Sequence, residues 1–220
     1  MGEEVYFAAQ ERKSGRKLAW EYGRLLRLAG LREVAGRQVL DAGCGAGPGL
    51  RFFRDRGACV TGVDRSAYAL SRAALLVPEA QLVQGDLQAS LPFAPESFDL
   101  VVLGDVIEHI ADGDRLLRDC FRILRSRGAL VLSTINRWDV RRYWQGDRWS
   151  GVVDPSHVHL YSPPEMRQVL KAAGFERVRV RAGAKPVFWL PVRWLVGLPW
   201  PPLIGNGLIA AAFRGGRSSY

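Results

Sequence analysis

The sequence predicts an α/β fold organised on a doubly wound parallel sheet. Short apolar runs alternate with segments of helical periodicity along most of the chain. One of these runs, Phe98–Leu103, is almost wholly apolar, as a strand covered on both faces must be. The first two runs end on an acid, Asp41 and Asp64, and a glycine-rich turn follows Asp41 at once. A turn of that kind at the carboxyl edge of a parallel sheet is where ligands bind.

Each element carries its own signal. Residues 8–29 place Leu18, Tyr22, Leu25 and Leu28 at helical spacing, and Gly30 can close that helix. Gln38–Asp41 is the first strand, and residues 48–56 form a helix leading to the second, Cys59–Asp64. Ser66 can cap a helix running to about Val77, before Pro78. Ala80–Gln84 is a short third strand and Phe98–Leu103 the fourth. A helix from about Asp112 to Arg125 then leads through Gly128 into the fifth strand, Ala129–Thr134. Pro164 can open a helix reaching Ala173, with Gly174 beyond its end. Phe175–Arg181 alternates like a half-exposed strand, and Leu208–Phe213 is a last apolar strand.

At 220 residues, 48% hydrophobic and 24% charged, the chain can bury one substantial core, so a single domain over 1–220 is expected, with 1–37 as an N-terminal helical part. Cys44, Cys59 and Cys120 are an odd, widely spaced set without a C-x-x-C pair, which argues against a disulfide framework and a zinc site. The acidic start, Met1-Gly2-Glu3-Glu4, has no apolar run behind it, so no secretory signal is read and a reducing cytoplasm is the expected compartment. The net charge is +9, and all but four of the 31 basic residues are Arg. They are scattered, with dense blocks only at 122–127 and 177–181, which favours a generally basic surface over a nucleic-acid footprint.

The turn reads Asp41-Ala-Gly43-Cys44-Gly45-Ala-Gly47-Pro-Gly49. Counted from either glycine pair, G-x-G-x-x-G fails, because the third position is Pro48 or Leu50. Asp41 would also repel a pyrophosphate, whereas it can pair with an ammonium or sulfonium group. Asp64 can accept from both hydroxyls of a ribose, and Asp86 from an adenine amino group. A ligand with a ribose, an adenine and a cationic amino-acid tail fits these acids. S-adenosylmethionine is such a ligand.

With these residues the chain resembles the class I S-adenosylmethionine-dependent methyltransferases over residues 38–181 at least. The run from Val39 to Gly47 is similar to the family's first motif, Gly62-Val-Asp64 to its ribose motif, and Gly85-Asp86-Leu87 to its adenine motif. Phe98–Ile110 resembles the fourth-strand motif. The resemblance implies a Rossmann-like, seven-stranded sheet, mostly parallel, whose antiparallel last strand inserts beside the fifth. It also implies cofactor contacts from Arg65, Gly104 and Asp105 beside the residues already named. Asp105-Val-Ile-Glu108-His109, Ser133–Arg137, His157–Glu165 and Ala173-Gly-Phe175 are similar to methyltransferases of ubiquinone and menaquinone biosynthesis.

Methyl transfer to oxygen requires the acceptor to lose a proton, and histidine suits that task. His109, after the fourth strand, and His157, after the fifth, are the candidate bases, with His159 pointing the other way if the segment is extended. Asp105, Glu108 and His109 reproduce, with Asp for the first Glu, an E-x-x-E-H spacing at which some ubiquinone-pathway relatives hold a divalent cation; a metal there is the competing account. Trp138, Tyr143, Trp144 and Trp149 among Arg141, Arg142 and Arg148 offer an acceptor wall or a packed surface loop.

Residues 185–207 carry five prolines and three tryptophans, with Lys185 and Arg193 as their only charges. Pro199, Pro201 and Pro202 break any spanning helix, leaving three readings open: a lid over the acceptor, a peripheral contact with the inner membrane face, or a core-packing or dimer-forming excursion. The expected function is therefore methyl transfer from S-adenosylmethionine to a small, apolar or lipid-like acceptor, at oxygen. A nucleic-acid methyltransferase is the first rival; Gly104-Asp-Val-Ile lacks the Pro-Pro-aromatic clamp commonly used on base amino groups. A cofactor-binding or membrane-associated regulator without catalysis is the second.

Overall fold

The computed structural model describes residues 15–139, 141–149, 153–183 and 207–216, less the side chains of 15–18, Trp144 and Gly183. The Trp/Pro-rich segment 185–207 falls outside these residues except for Gly207, as do residues 8–14 of the first helix. Seven strands form one sheet in the order β3-β2-β1-β4-β5-β7-β6. They are β1 (Gln38–Ala42), β2 (Cys59–Asp64), β3 (Gln81–Gln84), β4 (Phe98–Gly104), β5 (Leu124–Ile135), β6 (Arg177–Gly183) and β7 (Gly207–Phe213). The pairings among β1 to β5 are parallel, while β7 lies between β5 and β6 and runs antiparallel to both. The expected Rossmann-like sheet with an inserted antiparallel last strand is what the chain forms.

Both faces are covered because strand side chains alternate. Leu40, Val101, Leu103 and Leu130 pack with α4 (Gly113–Ile123) and α5 (Pro163–Ala172) on one face. Val39, Leu100, Val102 and Val131 pack with α1 (Gly15–Ala29), α2 (Pro48–Arg54) and α3 (Ala67–Leu76) on the other. Leu40, Leu100 and Leu103 are fully buried, so each contributes on the order of 2 kcal/mol by area. Helix starts follow capping chemistry. The Ser66 side chain accepts from Ala69 N–H, Asp112 accepts from Arg115 N–H, and Ser162 forms a reciprocal capping box with Glu165.

One boundary differs from the sequence reading. The helix expected to reach Arg125 ends at Ile123, and β5 begins at Leu124, irregular in register until Ala129 pairs with Leu100. Arg214 causes this. Its guanidinium donates to the carbonyls of Phe121, Arg122 and Leu124, capping α4 from about 90 positions away. Other arginines are likewise tied down: Arg115 donates to the carbonyls of Leu87 and Ala89, and Arg122 to those of Leu91 and Phe93. Arg125 pairs with Asp99. Much of the basic block at 122–127 therefore holds the β3–β4 connection in place. Arg177, Arg179 and Arg181 remain exposed on edge strand β6. No helix among the described residues is long and apolar enough to cross a membrane.

Candidate functional site

β1, β2 and β4 bring their carboxyl ends together, with Asp41 level with Gly62 and Val102. The chain then turns through Gly43, Gly45 and Gly47, all at positive φ, before Pro48 opens α2. Close approach is as decisive as conformation at Gly43. A Cβ there would stand 2.5 Å from Cγ2 of Val106. The glycine turn is thus pressed against the segment that leads to His109. Cys44 fills the space over Gly62, and burial pushes its thiol pKa up, so it is a neutral packing group.

Asp64 is held from both sides. Gly45 N–H donates to Oδ2 and Ser66 N–H to Oδ1, each at 2.9 Å. Each carboxylate oxygen keeps a further lone pair for a ligand. Asp86 is exposed and accepts from Gln88 N–H at 2.8 Å; Gly85 beside it donates to the Asp64 carbonyl. Leu87 is buried, while the Arg65 side chain is exposed. Gln88 ties this loop to the histidines, since its amide donates to the His109 carbonyl and accepts from Ala111 N–H.

Asp41 is 2% exposed and its Oδ2 has no hydrogen-bond partner among the described residues. Burial, with the Asp64 charge beside it, raises its pKa to about 7. Tyr22, whose spacing in the sequence marks it only as a packing residue of the first helix, lies next to it. The Tyr22 hydroxyl of α1 would be 2.6 Å from a Cβ at Gly49 and 3.5 Å from one at Gly104, and the same Gly49 position is 2.2 Å from Asp41 Oδ2. Desolvation and the charges of Asp41 and Asp105 keep this phenol protonated. Its place among the apolar positions of that helix gives no sign of this role in the sequence. Asp105, at the end of β4, takes a left-handed conformation (φ 54°) and is fixed by Ser133, whose hydroxyl donates to Oδ1 at 2.8 Å.

Beyond Asp105, a single helical turn (Ile107–His109) presents Glu108 and His109. Residues 157–159 dock on it, as Val158 and His159 donate their N–H groups to the Glu108 carbonyl. His109 and His157 consequently lie with ring centres 4.8 Å apart. Glu108 is buried, accepts from the Thr134 hydroxyl at 2.8 Å, and is pushed up to about 8 by burial and by Asp105. His109 is held below the usual histidine range, first by desolvation. His157 Nδ1 is buried without a hydrogen-bond partner among the described residues.

Glu108, His109 and His157 offer ligand atoms all within 4.8 Å of one another. That trio shares Glu108 and His109 with the competing metal account read from the sequence, and has His157 where that account had Asp105. Asp105 Oδ1 accepts from the Ser133 hydroxyl, while His157, 48 positions after His109, completes the trio. His159 points away and pairs with Glu165 at 2.7 Å. In the loop after β5, Trp149 is buried and donates to Asp139, whereas Trp138 and Tyr143 are exposed.

Residues 12–180 match the protein family described as Methyltransferase domain. A probable S-adenosylmethionine-dependent methyltransferase from Mycolicibacterium smegmatis is 34% identical over 142 residues, 64% of this chain and 53% of that protein. A ubiquinone biosynthesis O-methyltransferase from Pseudomonas fluorescens is 37% identical over 108 residues, 47% of each. The chain spans about half the length of these curated relatives. Among solved structures, an S-adenosylmethionine-dependent methyltransferase from Mesorhizobium loti superposes with a TM-score of 0.67 at 25% identity, covering 88% of this chain and 97% of that one.

Proposed function

This chain belongs to the methyltransferase-domain family of S-adenosylmethionine-dependent enzymes, and on that premise we propose that it methylates an oxygen of a small, apolar acceptor. The observation that carries the reading is the contact between Gly43 and Val106, which sets the cofactor turn directly against the turn bearing His109. Asp64 takes the ribose hydroxyls, Asp86 the adenine amino group, and Asp41 the cofactor's ammonium, an ionic partner for its unsatisfied oxygen. The acceptor oxygen attacks the methyl carbon in line. As the new C–O bond forms, the S–CH₃ bond breaks and its electron pair stays on sulfur, giving S-adenosylhomocysteine. The acceptor's proton passes to a ring nitrogen of His109 or of its neighbour His157, and the depressed pKa of His109 keeps that ring in the receptive form. Exposed Trp138, Tyr143, Val153 and Val158 supply apolar surface on the segments that flank the histidines, which supports an acceptor with an apolar body.

One observation favours a second reading. Glu108, His109 and His157 are close enough to share a divalent cation, and two imidazoles with one carboxylate suit Zn²⁺ or Mn²⁺. Bound there, the ion would lower the pKa of a coordinated phenol. The test is transfer of labelled methyl from S-adenosylmethionine to a panel of lipophilic phenols and catechols, with and without EDTA. Labelled methyl ether formed in EDTA supports the base reading. Activity lost in EDTA and restored by Zn²⁺ or Mn²⁺ supports the metal. Methyl transfer only to an RNA control would overturn both.

A further inference from the structure

The His109 ring is not free to choose its tautomer. Nδ1 lies 2.9 Å from the Ser156 hydroxyl oxygen and 3.2 Å from the Ser156 carbonyl oxygen. A carbonyl can only accept. The hydroxyl, in turn, has its single proton directed to Asp154 Oδ1, at 2.6 Å. That carboxylate also accepts from Ser156 N–H at 2.9 Å, and these two bonds hold its pKa below the usual carboxylate range, so it is ionised and cannot give a proton back. Both oxygens facing Nδ1 are therefore acceptors, and Nδ1 must carry the hydrogen.

We propose that Asp154 and Ser156 are positioning residues that lock His109 in its Nδ1–H tautomer, leaving the Nε2 lone pair open. Asp154 orders the turn, Ser156 receives the Nδ1 hydrogen, and the opposite edge of the ring keeps the only atom able to take a proton or bind a cation. The same logic fixes histidines in metal sites and catalytic pairs, where the second nitrogen's partner decides which one reacts. This inference rests on the reading of His109 as the reactive group, but it concerns a property of the ring that is measurable without an acceptor. Neither residue was singled out in the sequence, because neither lies in a cofactor motif. Residues 154–156 reach His109 only because Val158 and His159 dock on the Glu108 carbonyl.

The chain has three histidines, so long-range ¹H–¹⁵N correlation spectra of the ¹⁵N-labelled protein at pH 8 can be assigned with one variant, His109→Gln. His109 is expected to show a protonated Nδ1 and a bare Nε2, in an excess of about tenfold or more over the other tautomer. Ser156→Ala and Asp154→Ala should each reduce that excess severalfold, and Ser156→Thr, which keeps the hydroxyl, should restore it. Undiminished binding of S-adenosylhomocysteine checks that each variant is folded. A predominantly Nε2–H His109 in the wild type overturns the proposal. An excess that survives both alanine substitutions also overturns it, since another group would then hold the hydrogen. If the tautomer behaves as expected but His109→Ala methylates at the wild-type rate, the relay stands and the catalytic reading of His109 falls.

Discussion

Asp41 gives the sharpest test of how this fold supports its ligand. Asp41→Asn keeps the shape of a buried side chain and removes its charge. The carboxyl is raised from 3.8 to about 7 in the folded chain, and each unit is worth 1.36 kcal/mol, so ionising it inside costs on the order of 4 kcal/mol of stability. The sign follows from proton counting. The folded state holds the proton up to about pH 7, the unfolded chain releases it near pH 4, and wild-type stability falls across that interval. The asparagine variant lacks this loss. Without ligand, it should match the wild type near pH 4 and exceed it increasingly up to pH 7, then by a constant amount. For a domain of this size the gain is roughly 5–15 °C in Tm. Function should move the other way, because the variant loses a charged partner for the ammonium, weakening S-adenosylmethionine roughly 10- to 150-fold. Wild-type affinity should also rise with pH through about 7, as binding expels the proton, and the variant's should not. Thermal unfolding between pH 4.5 and 8.5, with calorimetric titration at each end, measures all of this. A variant less stable than wild type at pH 8, or one that binds the cofactor equally well, refutes the reasoning.

Four further outcomes are expected. Asp64→Ala removes the acceptor of Gly45 and Ser66 N–H as well as the ribose contact, so calorimetry should show at least a roughly fivefold loss of affinity for S-adenosylhomocysteine together with a drop in stability of about 1–3 kcal/mol. Gly43→Ala combines a φ of 83° with a 2.5 Å approach to Val106; chemical denaturation should report a loss of about 1–3 kcal/mol, and Val106→Ala should recover only part of it. His109→Ala should lower the maximal methylation rate roughly 100-fold while leaving cofactor affinity nearly unchanged, and equal losses in both would argue for a structural role. For the Trp-rich segment 185–207, three tryptophans worth about 2 kcal/mol each by area make reversible membrane attachment the expectation. Sedimentation with anionic liposomes at low salt should fall when Trp194 and Trp200 become Ser, and an unchanged pellet would turn the search toward soluble acceptors.

The elements and the cofactor edge were legible because they rest on local chemistry. Apolar runs, Ser66 as a cap, and Gly43, Gly45 and Gly47 where φ must be positive are all decided within a few residues of chain. The acids at the ends of β1 and β2 could be read for the same reason, since a strand's last residue projects at the sheet edge whatever lies further along. Contacts across long separations could not be read in this way. Arg214 caps the end of α4 some 90 residues before itself, Tyr22 lies beside Asp41 from a helix that looks merely amphipathic, and His157 joins Glu108 and His109 in one cluster. Motif spacing fixes which residues share a turn, and so it grouped Asp105, Glu108 and His109. Asp105 has a left-handed backbone, and its carboxylate accepts from Ser133. Sequence alone determined which groups stand at the edge of the sheet, because the glycine turn is one consecutive run and each of Asp41, Asp64 and Asp86 lies at or just past the end of its own strand. Only tertiary structure decided which groups face one another across it, because docking of residues 157–159 on the Glu108 carbonyl depends on the path of a chain nearly fifty residues long.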